Sequence, residues 1–173
     1  MAIMLEKLNE QTEHGYVLLQ AAAAEGALGD IEAAYRRADA LAALGTGPLT
    51  KLARVASDFV CRMSLASGPA WTTSHDDEGN HVNIEDHSPE QRVFTRRMMA
   101  AWSAGDTATF AALLNGACAD PQRRQPYLRD LFQLTVDEAE VHGRRAGRPF
   151  TVVRQMNKSI LKEGLQKDDW NRS

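Results

Sequence analysis

The chain has 173 residues, 43% of them hydrophobic and 25% charged, with a formal net charge of −3. That length can bury a core without disulfides, and so ordinary a composition excludes disordered, collagenous and disulfide-scaffold classes. No apolar run approaches the roughly 18 residues that cross a bilayer, and the start MAIMLEKLNEQ lacks the basic flank and apolar run of a signal peptide.

A cytoplasmic protein with no membrane partner is therefore expected. Alanine is abundant and aromatics are only 6%, which favours helices over a sandwich or barrel. The expected fold class is all-α: a compact bundle of six or seven helices in one domain, residues 1–173. A small β-hairpin or polar loop is inserted around residues 70–87.

The first helix is predicted over Ala2–Ala27. Leu5, Leu8, Thr12, Gly15, Tyr16, Leu19 and Ala23 fall on one stripe by steps of three and four. Gly29-Asp30 ends it and caps a second helix, Asp30 to about Leu44, with Ile31, Ala34, Ala38 and Leu41 inward. Gly45-Thr46-Gly47-Pro48 is the next break. A third helix follows to about Ala66, with Leu49, Leu52, Val55, Ala56, Phe59, Val60 and Met63 inward.

The insert comes next. Trp71-Thr72-Thr73 and His81-Val82-Asn83-Ile84 read as two short strands around the turn Asp76-Asp77-Glu78-Gly79-Asn80. Trp71 and Ile84 would anchor it, because an isolated hairpin is marginal in water. Ser88-Pro89-Glu90-Gln91 matches a capping box with Pro89 at the first helical position. The fourth helix carries Phe94, Met98, Ala101 and Trp102 on one side. Gly105-Asp106 starts a fifth, to about Ala117. Asp120-Pro121 reads as a connector, and a sixth helix is expected from about Pro126 to His142. A tail helix over 149–166 closes the chain, with Val153, Met156, Ile160, Leu161 and Leu165 inward.

The breaks Gly29-Asp30 and Gly105-Asp106 are followed by similar elements. The chain thus admits two three-helix units, 1–67 and 88–147, joined by an insert at 68–87. The charge is uneven: residues 68–91 carry six acids and no base, whereas 146–173 carry six bases and three acids.

Within the insert, His75, His81 and His87 are spaced by six, with acids between them. Imidazoles and carboxylates together can hold a divalent metal, though this spacing matches no compact ligand signature. No other cofactor is predicted. A contact surface is expected from Trp71, Asp76, Asp77, Glu78, His81, Ile84 and Glu85. A basic surface is expected from Arg92, Arg96, Arg97, Arg144, Arg145, Arg148, Arg154, Lys158 and Lys162. Phosphate loops, nucleophile elbows and HExxH motifs are absent, so no catalytic residue is assigned. Cys61 and Cys118 sit in apolar helical runs as buried thiols.

The leading expectation is a non-enzymatic interaction or regulatory protein that binds another protein or a second copy of itself, insert against tail. A nucleic-acid-associated regulator using the arginine clusters is the alternative. A metal-binding protein built on the His/acid insert is the next.

Overall fold

A computed structural model describes residues 2–64, 66, 68–86, 88–147 and 149–169, with the side chains of 2–8, 68–69 and 164–169 excepted. His87 and Arg148, and the side chains of Leu5, Leu8 and Leu165, lie outside the described residues. The chain is a mainly α bundle: α1 Ala2–Ala27, α2 Ile31–Ala42, α3 Thr46–Met63, α4 Glu90–Ser103, α5 Thr107–Ala119, α6 Pro121–Ala146 and α7 Pro149–Asp169. A hairpin, β1 Thr73–His75 and β2 His81–Asn83, interrupts it after α3, flanked by 3-10 turns Gly68–Trp71 and Ile84–Asp86.

The two Gly-Asp breaks have the same local structure. Gly29 and Gly105 take positive φ of 84° and 72°, which residues with a Cβ rarely adopt. The amide of the following aspartate reaches back to Glu25 O and to Ala101 O, each at 2.9 Å, closing the helix end. Each aspartate side chain then accepts from an amide in the next helix: Asp30 from Ala33 N at 3.2 Å, Asp106 from Thr109 N at 3.0 Å. Asp106→Ala should therefore lower the midpoint of urea unfolding, as loss of a helix cap does.

Four helix boundaries differ from expectation. α3 begins at Thr46, two residues before Pro48, because a first-turn residue needs no intrahelical N–H. It ends at Met63 and not near Ala66; Ser64 is extended, and its hydroxyl accepts from Ala66 N at 3.1 Å. α4 begins at Glu90, with Pro89 and not Ser88 in the cap position and no side-chain cap bond. The largest difference is α6. It starts at Pro121, with Asp120 accepting from Gln122 N at 2.9 Å, and runs straight through Pro126. The carbonyl that Pro126 cannot serve belongs to Gln122, which is exposed to water, so the break is tolerated.

α7 is helical throughout its described span, but its inner face is rotated from the predicted one. Val152, Met156 and Ser159 are buried, whereas Leu161 is exposed. One hydrophobic cluster draws on all seven helices, from Leu19, Leu41, Leu52 and Phe59 to Met98, Phe110, Phe132 and Val152. α6 packs against α1, α2 and α3 as well as α4, α5 and α7. Its approach to α1 needs missing side chains: a Cβ at Gly143 would lie 2.5 Å from Ala27 O, and one at Gly26 would lie 3.0 Å from Val136 O. Among the described residues, no helix is long and apolar enough to cross a membrane.

Candidate interaction surfaces

The insert is a two-stranded antiparallel hairpin with register Thr73↔Asn83, Ser74↔Val82 and His75↔His81. Its turn is built by Asp76. That carboxylate accepts from Glu78 N at 3.0 Å, Asn80 N at 2.8 Å and Asn80 Nδ2 at 3.0 Å. The Asn80 side-chain bond, then the backbone ones, hold the Asp76 carboxyl below its usual range. Gly79, at φ 85°, supplies the left-handed residue that closes a short hairpin loop. Asp76 is thus occupied in making the turn and is not a free contact residue.

Trp71 is fully buried and Ile84 nearly so, while both strands are largely exposed. These two residues hold the insert onto the helices and present no contact surface themselves. Trp71 Nε1 and Arg96 Nε are buried without hydrogen-bond partners among the described residues, and the Arg96 guanidinium lies 5.4 Å from the Trp71 ring centroid. What the hairpin offers outward is Asp77, Glu78, His81, Glu85 and Asp86. Glu85 is tied to Arg97 of α4, with Nε–Oε1 at 3.0 Å. Asp77, Glu78 and Asp86 have no ion-pair partner among the described residues.

His75 and His81 face each other across the strands, with ring centroids 4.3 Å apart. Among the described residues, no group of three or more His, Cys, Asp or Glu is placed to hold a metal ion. Several of the basic residues are paired individually with carboxylates. Arg92 pairs with Asp130 at 3.0 Å, Arg97 with Glu85, Arg144 with Glu140, and Lys162 with Asp58 at 2.6 Å. Arg96 is half-buried, and burial lowers its pKa, followed by the repulsion of nearby Arg92. Arg145, Arg154 and Lys158 remain exposed and without ion pairs among the described residues.

Beside the insert, α4, α5 and α6 leave an open groove of about 470 Å³. Phe94, Leu113 and Tyr127 supply apolar wall, Phe94 and Tyr127 being stacked at 4.5 Å. Arg97, Arg123 and Glu90 also line it. Arg97 thus belongs to both the groove and the root of the hairpin. The sequence reading missed this groove, since its walls come from three helices whose relative placement no periodicity encodes.

It also missed Asp58. This buried carboxylate accepts from Arg62 Nε at 2.6 Å, Ser159 Oγ at 2.8 Å and Lys162 Nζ at 2.6 Å. Lys162 lies 5.5 Å from the Trp102 ring centroid, and Trp102 meets Phe110 edge-on at 4.6 Å. The cluster joins α3 to α7 and reaches α4 and α5. A charge amid the apolar run Val55-Ala56-Ser57-Asp58-Phe59-Val60 was the available signal. The thiols are not activated: burial pushes Cys61 up to about 12 and Cys118 upward.

No protein-family model matches the chain, and neither the curated proteins nor the solved structures contain a significant match.

Proposed function

We propose that this chain is a cytoplasmic protein–protein interaction module that engages a basic surface of its partner through the acidic hairpin. The observation that carries the reading is the hairpin itself. Two buried anchors fix it to the bundle, its turn is locked by Asp76, and its three unpaired acids face water. A fixed display of like charge steers and registers an opposite surface more than it stabilises its own fold. The Arg97–Glu85 pair places the apolar groove beside that display, where a partner's apolar side chain would seat.

The test compares capture from an extract of the source cells by the wild-type chain and by Asp77→Asn/Glu78→Gln/Asp86→Asn. All three positions are exposed, so circular dichroism should be unchanged. The expected result is a partner whose capture falls about tenfold in the variant, three exposed charges at a few tenths of a kcal/mol each, and falls likewise in high salt. Equal capture by both chains would sink the proposal.

A further inference from the structure

The large exposed hydrophobic side chains are not scattered. Among the described residues they are Val17 (62% exposed), Leu28 (70%), Phe150 (75%), Leu161 (64%) and Val141 (40%). Four of the five belong to α1 and α7 or their ends, and single exposed apolar residues need no explanation whereas a shared face does.

α1 and α7 pack side by side and run antiparallel. Gln20 donates to Asn157 Oδ1, and Tyr16, one turn earlier on α1, lies near Glu163, further along α7. A step up one helix is then a step down the other. Val17 lies level with Leu161, and Leu28 level with Phe150. Steps of four, three and four put Val17, Ala21, Ala24 and Leu28 on one stripe of α1, and Phe150, Arg154, Asn157 and Leu161 repeat those steps on α7. The α1 stripe is opposite the one that packs inward through Gly15, Leu19, Ala22 and Gly26. The result is one outer face with an apolar pair at each end, about 16 Å apart along the axes at 1.5 Å per residue. Its centre holds two alanines on α1.

We propose that this face binds a second copy of the same chain in a two-fold dimer. A two-fold axis running along the seam lays α1 of each copy over α7 of the other and keeps every level unchanged. Val17 of one copy then meets Leu161 of the second, and Leu28 meets Phe150, so all four exposed side chains are covered by apolar partners. Arg154, without an ion-pair partner among the described residues, falls level with Glu25 of the second copy. Glu25 already accepts from Arg37 through both carboxylate oxygens, at 3.1 to 3.3 Å, and Arg154 would join that pair. Two adjacent helices about 30 Å long and about 10 Å across present a face comparable with the roughly 800 Å² per partner of a stable interface. The hairpin is not used, so this contact and the proposed partner site are separate.

Sedimentation equilibrium at high micromolar concentration tests it. The expected mass is twice the 19.1 kDa of one chain. Val17→Lys/Leu161→Lys and Leu28→Lys/Phe150→Lys, all at exposed positions, should each give a folded monomer by circular dichroism. Val141→Lys should remain a dimer: Val141 lies two residues before Gly143, about 200° round α6 from its contact with α1. The hairpin variant Asp77→Asn/Glu78→Gln/Asp86→Asn should also remain a dimer, even if it captures its partner normally. A monomeric wild type would overturn the proposal. So would a dimer that survives both lysine pairs, or one lost in the Val141 or hairpin variant.

Discussion

Asp58→Ala is expected to lower stability by about 3 kcal/mol, the low end for removing one member of a buried ion pair. The low end applies because Arg62 and Lys162 are 37% and 45% exposed and can turn towards water once released, whereas Asp58 cannot. Ser159 is fully buried and loses its acceptor outright, which adds to the cost. For a chain of this length, that loss should lower Tm by about 6–12 °C. Asp58→Asn keeps the shape and part of the hydrogen bonding, and should cost less.

The pH dependence carries a sign. Burial alone would push the Asp58 carboxyl up; the bonds from Lys162, Arg62 and Ser159 outweigh it, so its pKa is lowered on folding. A depressed carboxylate stabilises the fold above its unfolded value of about 3.8, and that stability is lost as pH falls through the folded value. The difference in urea stability between wild type and Asp58→Asn should be constant from pH 7 to about 5 and shrink below about 4. A difference that grows on acidification would show that the carboxylate is not held ionised by these three donors.

Gly143→Ala should destabilise by about 2 kcal/mol, within the usual range for overpacking. On helix propensity alone the change should help by nearly 1 kcal/mol, so the sign is the test. The new methyl would lie 2.5 Å from Ala27 O and 2.9 Å from Ala27 Cα. Both are backbone atoms, so relief requires moving a helix and not a rotamer. Gly116→Ala is the matched control: it is inside α5 with nothing within 4 Å of its would-be Cβ. It should stabilise by about 0.5–1 kcal/mol. Equal gains from both substitutions in urea melts would mean that α1 and α6 do not approach so closely.

These two experiments probe contacts that differ in how they were written into the chain. The Gly-Asp breaks, the insert and the inward faces of α1 to α3 were readable, because capping chemistry and hydrophobic period act within a few residues. The hairpin's anchors, Trp71 and Ile84, were readable for a similar reason: large apolar side chains flanking a polar turn have to be buried somewhere. The metal-like spacing of His75, His81 and His87 was readable too; the first two face each other, with no third ligand beside them among the described residues.

Other features could not be read locally. Pro126 looked like a boundary, yet α6 passes through it, because the freed carbonyl belongs to the exposed Gln122 and packing on the rest of the bundle outweighs one lost bond. The basic residues looked like one surface in the chain, yet carboxylates from α3, α6 and the insert neutralise several of them individually. The face of α7 was misassigned because a partly apolar helix fits more than one stripe, and the polar contact of Ser159 and Lys162 with Asp58 selects among them. The existence of the helices and the ends marked by Gly-Asp were thus inherent in the residues themselves, being short-range consequences of capping and periodicity. Which charges are spent inside the molecule, and which helices meet at the groove and along the α1/α7 face, arose only when distant segments packed together.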